Sequence, residues 1–342
     1  MKNKKRIRVL ILAAILIVAP SFYFLPYYIS KPGIAKELAP IIEVEDGYDE
    51  SGSFMLTTVR MGRANIYSYI LARFNQYHEI FPIEQIRAED ETEEEYSVRQ
   101  LYLMDSSKYN AIEVAYKKAG YPIKYQHNGV YVLNVVKGMP AEDRLKPGDR
   151  IFKVDGNEFQ SSAEFMDYIS QKTAGEQLTL TVERNHKLHE TSLKLDVFND
   201  EENKGKIGIG IGLVDDKELI VEPDVTVNSK EIGGPSAGFM FSLEIYNQLV
   251  EEDLTRGYHI AGTGTISSNG EVGEIGGIQL KVIAADKAGA EIFLAPNQNG
   301  TKDSNYQDAL KTAKDINTDM KIVPIDTFEE AVKYLESLEP KK

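Results

Sequence analysis

The chain has 342 residues, with 53 Asp and Glu against 39 Lys and Arg, a formal net charge of −14, and neither Cys nor Trp. That length suggests two to three domains, and 42% hydrophobic residues argue against wholesale disorder. The acidic balance speaks against nucleic acid as a main partner, and the absence of cysteine excludes disulfides, thiolate metal sites and a cysteine nucleophile.

Lys2, Lys4, Lys5, Arg6 and Arg8 place five positive charges ahead of an uncharged run, Val9 to Ile29, of 21 residues. A run of that length predicts a helix able to cross about 30 Å of hydrocarbon. Tyr23, Tyr27 and Tyr28 sit at its far end as interfacial aromatics, and Pro20 and Pro26 are kinks that a membrane helix tolerates. The positive-inside bias keeps residues 1–30 as a cytoplasmic tip and anchor and sends the rest across. The expectation is a single-pass protein of the cell membrane with its body extracytoplasmic. A cleaved signal peptide is the rival, but no A-x-A-like triplet follows Ala19.

Residues 31–122 form an extracytoplasmic segment. Phe54 to Val59 reads as a strand, and Ala64 to Tyr77 has helical spacing. Glu89 to Glu95 holds six acidic residues in seven and reads as a solvated linker. Glu94 to Gly120 is helical in pattern and stops on Gly120-Tyr121-Pro122.

Residues 123–198 change to short strands around one helix. Val130 to Val136 is a strand, Arg150-Ile151 opens another, and Asp155-Gly156 supplies a hairpin turn. Ser162 can cap a helix running to about Lys172, and Leu178 to Glu183 is a further strand. With Gly138-Met139-Pro140-Ala141, Leu145-Lys146-Pro147-Gly148-Asp149-Arg150-Ile151 and Val154-Asp155-Gly156 in this order, the segment resembles a PDZ domain of the bacterial protease type. The resemblance implies a small barrel in which a peptide adds beside Gly129, Val130, Tyr131 and Val132, against the Ser162 helix. The loop at His127-Asn128-Gly129 lacks a Gly-Leu-Gly-Phe run, which speaks against capture of a free C-terminus.

Residues 199–342 alternate strands and helices, an α/β module. The expected strands are Ile207 to Val214, Glu218 to Val227, His259 to Ile266, Glu291 to Ala295 and Met320 to Val323. Helices are expected over Pro235 to Glu251 and Phe328 to Leu338. Gly233-Gly234-Pro235-Ser236-Ala237-Gly238 stands directly before the first of these helices. Gly234 permits close approach of a substrate backbone, and amides near Ser236 and Ala237 could hold an oxyanion. Ser236 is then either a nucleophile or an ordinary helix cap. His259 is the one histidine in this module, without an aspartate in a familiar triad order. His186 and His189 lack the helix and third ligand of a metal site, and no metal or cofactor is expected. Lys281 enters a helix among apolar Leu280, Val282 and Ile283. Burial there would depress its pKa and make it a base, whereas exposure would leave it a snorkelling surface lysine.

Ser236 in its Gly-Pro-Ser-Ala-Gly setting, Thr263-Gly264, and Ile275-Gly276-Gly277 followed by Lys281 together resemble the proteolytic domain of Lon proteases. The resemblance implies that Ser236 is the nucleophile, Lys281 its base and Thr263 a holder of the amine. Gly233 stands where an acidic residue is more usual, and no G-x-x-x-x-G-K-[ST] motif occurs, so no ATP is expected as a partner. Anchor, PDZ and Lon-type regions in this order, with Tyr28-Ile29-Ser30-Lys31-Pro32-Gly33 and Leu56-Thr57-Thr58-Val59, resemble the SepM/YlbL family of membrane-anchored proteases. The resemblance implies a multidomain α+β and α/β protein that makes limited cuts in small secreted or membrane-tethered polypeptides. Regulatory peptides and small division inhibitors are the kind of substrate implied. Lon-type domains often form rings, which makes a homo-oligomer compatible with the resemblance and leaves the subunit number open. The alternative is a catalytically silent scaffold that binds peptides through its PDZ region. The acidic run Glu89 to Glu95 alone would support a cation sensor.

Overall fold

Strand β1 (Phe24–Glu37) starts inside the run expected to be a helix, and its partners explain why. It pairs antiparallel with β2 (Ser53–Asn65), from Phe24 opposite Asn65 to Glu37 opposite Met55. Strand β2 passes directly into helix α1 (Ile66–Arg73), where Asn65 and Ser68 form a reciprocal capping box. Strand β3 (Glu79–Pro82) then covers the other edge of β1 at Tyr27 to Ser30. Tyr28 and Ile29 are buried in this sheet, and Ile29 packs with Ala64 and Ala72. The anchor helix expected to reach Ile29 is therefore corrected, because the backbone from Phe24 onward is spent on sheet pairing. The computed structural model describes residues 10, 18–87, 91–184, 186–198, 203–229 and 232–341. Of the expected anchor, residues 9 and 11–17 lie outside these. Among the described residues no helix is long and apolar enough to cross a membrane.

Helix α2 (Glu93–Ala119) is longer than any other described helix, and its ends follow the sequence. Thr92 and Glu95 form a capping box, and Gly120 closes the far end with φ of 82°. The acidic stretch before it is not simply a solvated linker. Glu91 is an ion-pair partner of Arg99 at 2.8 Å with only 5% of its side chain exposed, and Glu95 serves the cap, where the helix dipole favours negative charge. Residues 89 and 90 of that stretch are outside the described residues.

The next unit is an antiparallel sheet ordered β8–β4–β5–β6–β7. Its strands are β4 (Ile123–Val135), β5 (Arg150–Val154), β6 (Gln177–Arg184), β7 (Lys187–Lys194) and β8 (Ile211–Val221), with helix α3 (Ser162–Ser170) across them. Asp155 and Gly156 both take positive φ, as a tight hairpin turn requires. Ser161, rather than Ser162, caps α3 by accepting from the Glu164 amide. Val130, Val132, Ile151, Phe165, Leu178 and Leu180 are the centre of its core.

The sequence predicts separate strands, Ile207 to Val214 and Glu218 to Val227, where β8 runs unbroken, because Asp215-Asp216-Lys217 breaks the apolar alternation. A register shift between Asp215 and Lys217 absorbs that break, and the ladder to β4 runs from Ile211 opposite Val135 to Val221 opposite Ile123. Leu213 packs against this core, whereas Leu219 and Val221 pack against the core of the following module. A ribbon of two strands thus joins the regions expected to divide near residue 199.

The last module adds α4 (Gly238–Leu249), β9 (His259–Gly262), α5 (Ile278–Lys287), β10 (Ile292–Pro296), α6 (Asn305–Asp315), β11 (Lys321–Ile325) and α7 (Phe328–Glu336). Its sheet runs β11–β10–β9–β2–β1–β3, parallel from β11 to β2. The segment 31–122 is therefore half of this sheet, not a separate region ahead of it. Phe54 and Leu56 point to the core beneath α2, α4 and α7, while Met55 points to the core beneath α5 and α6. The result is a three-layer α/β/α sandwich.

Candidate active site

The loop that carries Ser236 is held by helix α2. Gly234 has φ of 81°, a conformation that favours glycine, and its amide donates to the Gln100 carbonyl at 2.9 Å. Pro235 to Ala237 makes one 3-10 turn into α4, and the Pro235 carbonyl accepts from Ser107 Oγ at 2.7 Å. A side chain at Gly233 would bring its Cβ within 3.3 Å of Gln100 Cβ, so the acidic residue more usual there would crowd α2. The 3-10 turn leaves Ser236 and Ala237 at the positive end of a helix whose first amides lack partners within it. An oxyanion formed at Ser236 would meet that end.

Lys281 comes from the first turn of α5, which starts beside Gly277 with φ of 68°. It is 3% exposed, so the snorkelling alternative does not hold. Its Nζ lies 2.8 Å from Ser236 Oγ and 2.8 Å from Thr263 Oγ1. Thr263, itself buried, donates from Oγ1 to the Ser236 carbonyl at 3.0 Å. The Gly264 amide donates to the same carbonyl at 3.0 Å. Burial alone lowers the Lys281 pKa to about 7, because an ammonium is poorly solvated there. At that value about half of the amine is neutral at pH 7, where an ordinary lysine is almost wholly protonated. A neutral amine at 2.8 Å can take a proton from a serine hydroxyl.

A groove of about 700 Å³ opens over these groups. One wall is the loop around Ser236, and the other is β2 from Thr57 to Met61. The parallel ladder between β9 and β2 stops at Gly262 opposite Leu56, so β2 enters the groove with one edge uncovered by β9. His259 is no rival to Lys281. Its ring is 2.8 Å from Ser53 Oγ, at the opposite end of β9 from Thr263. Among the described residues no group of His, Cys, Asp and Glu could hold a metal.

The family described as the Lon protease (S16) C-terminal proteolytic domain matches residues 215–337, and the PDZ domain family matches residues 116–195. The chain carries a PDZ domain and a Lon-type proteolytic domain. A Lon protease of Campylobacter concisus is 35% identical over 100 residues, covering 29% of this chain and 12% of its own length. A Lon protease of Mesomycoplasma hyopneumoniae is 31% identical over 102 residues, covering 30% of this chain and 11% of its own. The chain thus spans only about an eighth of these relatives. The solved PDZ domain of an SdrC-like protein from Listeria monocytogenes is 41% identical, covering 27% of this chain and 93% of that one, with a TM-score of 0.25. The domain pair is consistent with a PDZ and Lon-type protease such as those of the SepM/YlbL family.

The peptide site expected in the PDZ domain is corrected. Val130 and Val132 are fully buried, a side chain at Gly129 would collide with the Ile151 carbonyl, and the Tyr131 ring lies 4.2 Å from that of Tyr102 on α2. Both edges of β4 are taken, by β8 and by β5. The open edge is that of β8, which faces α3 across a cavity of about 290 Å³ lined by Phe165, Met166, Ile169 and Ile207 to Gly212. The run Ile207-Gly208-Ile209-Gly210-Ile211 was the available sequence signal, hidden by its distance from the motifs that mark the domain.

Ser107 was also missed, because a serine within a helix carries no signature of its own. Its place in the buried stripe Met104, Ser107, Ala111 of α2 is the only hint. Ser107→Ala is expected to lower kcat roughly 10-fold with little change in KM, by loosening the turn that aims Ser236. Steady-state kinetics beside a thermal melt would check it; equal loss of activity and folded protein would reduce Ser107 to a core residue.

Proposed function

We propose that the chain is a membrane-attached serine endopeptidase that works without ATP, with Ser236 as nucleophile and Lys281 as general base. The observation that carries this reading is the buried Lys281 amine within 2.8 Å of both the Ser236 and Thr263 hydroxyls. Neutral Lys281 accepts the Ser236 proton as Oγ attacks the scissile carbonyl. Backbone N–H groups at the start of α4 stabilise the tetrahedral oxyanion. Protonated Lys281 then gives its proton to the leaving amine, and water repeats the sequence to free the acyl group. Thr263 keeps the amine pointed at Oγ throughout.

Substrate lies in the groove as an extended strand beside the uncovered edge of β2 at Thr57 to Met61, which requires unfolded, short or locally exposed chains. The PDZ domain takes a second peptide segment between β8 and α3 and so selects or delivers the substrate. Membrane attachment rests on the basic head and on residues 9–23, the part of the uncharged run that β1 leaves over. Limited cutting of small secreted or membrane-tethered polypeptides fits this arrangement.

A fluorophosphonate should become bonded to Ser236 Oγ, as peptide mapping by mass spectrometry would show, with a rate that rises with pH through about 7. Modification at other serines, with Ser236 untouched, would favour the silent peptide-binding scaffold instead.

A further inference from the structure

Helix α1 carries Tyr67, Ile70, Leu71 and Phe74 at spacings of three and four residues, the apolar stripe of an amphipathic helix. Such a stripe normally meets a core. Here it meets solvent, with Leu71 65% and Phe74 87% exposed, while Ala72 on the opposite face is buried. Phe22, Tyr23 and Phe24 extend the patch, and all three are exposed. They are held beside α1 by the bond from Asn65 Nδ2 to the Ser21 carbonyl at 3.2 Å and by the pairing of Phe24 with Asn65.

The charge around the patch departs from the rest of the chain. Residues 1–36 and 51–78 contain no Asp or Glu at all, in a protein of net charge −14. The Arg63 guanidinium lies 5.6 Å over the Phe24 ring and that of Arg73 lies 5.4 Å over Tyr69. An apolar stripe with aromatic residues, an arginine rim and no carboxylates suits the boundary between acyl chains and anionic headgroups.

We propose that α1 and Phe22 to Phe24 rest in the headgroup layer of the bilayer that holds the N-terminal run. This rests on the membrane attachment proposed above. Ten uncharged positions, 9–18, precede the 3-10 turn Ala19–Ser21, and even a helix of that length would reach only about 15 Å. That is shorter than the roughly 30 Å hydrocarbon core, so the start of the fold is drawn into the interface. Arg60 and Met61, which line the groove, precede Asn65 on β2 by five and four positions. At about 3.3 Å per strand residue this puts the groove within some 20 Å of the membrane surface. The substrates favoured by this placement are chains tethered to the same membrane and cut close to it.

The chain has no cysteine, so single labels are unambiguous. Full-length Phe74→Cys carrying a nitrobenzoxadiazole label would be placed in nanodiscs with anionic lipid, beside Leu188→Cys on β7, which is 68% exposed. The label at 74 should shift to the blue and be quenched several-fold more than that at 188 by headgroup-depth spin-labelled lipid. Equal, water-like emission at both sites in protein-loaded discs overturns the proposal and leaves the attachment intact. Shielding only in discs with two or more copies, without lipid quenching, overturns it in favour of a second copy on the patch. Failure to enter discs at all sinks both readings. In the same discs, Leu71→Asp with Phe74→Asp should slow cleavage of a lipid-tethered peptide at least 10-fold and leave a soluble peptide unaffected. Equal loss on both peptides would count against membrane docking.

Discussion

Ser236→Ala and Lys281→Met, each in the full chain, are expected to lower casein cleavage by at least roughly 10³-fold in the absence of ATP. In the proposed dyad the hydroxyl and the amine act as one unit, so the two losses should be nearly equal and the double variant no worse. Lys281→Met keeps the length of the side chain among Leu280, Val282 and Ile283, so folding survives the change. Circular dichroism and a thermal melt would establish that. Cleavage that persists in folded Ser236→Ala would exclude this serine as nucleophile. Persistence in Lys281→Met alone would pass the role of base to another group, and the groove offers no histidine for it.

The second large effect lies in the pH dependence of activity and stability. Activity should rise through pH about 7 and level off above it, as the Lys281 amine becomes neutral. Stability should move in the same direction. The folded amine titrates near 7, against an ordinary value of 10.5. Between those values the folded state holds fewer protons than the unfolded one, so stability increases with pH in that window. Below it both states are protonated and the full penalty of a buried ammonium remains. The unfolding free energy of the wild type relative to Lys281→Met should therefore climb by about 2–3 kcal/mol from pH 7 to pH 9. Urea unfolding of both proteins at several pH values measures this. A constant difference across that range would show that Lys281 titrates normally and is not the base.

Much of the local structure could be read in advance for identifiable reasons. Helix α2 carries a capping box at one end and Gly120 at the other, and the Asp155-Gly156 turn needs only its own two residues. The span of β1 could not be read. Val9 to Ile29 is uniformly apolar, and an apolar run satisfies a bilayer and a buried strand equally well. Only the presence of β2 and β3 on either edge decides for the strand from Phe24 onward. The strand edge expected to receive a peptide in the PDZ domain is closed for a related reason. Which strand edge stays open depends on how distant strands pair, and β8 takes the edge of β4 at Val130 to Val132 from more than 80 positions away.

The chemistry available to this protein is written in short local stretches of residues. Gly234, Pro235 and Ser236 specify a tight turn into a helix, and Gly276-Gly277 with Lys281 specifies a second helix start; both signals lie within a few residues. Whether that lysine is charged, which neighbours touch it and what surrounds the groove are set by packing between distant segments. Those depend on burial and on contacts made across 45 residues to Ser236 and across 128 from Ser107 to Pro235. Desolvation is a property of everything packed around an atom, and no local pattern of residues encodes it.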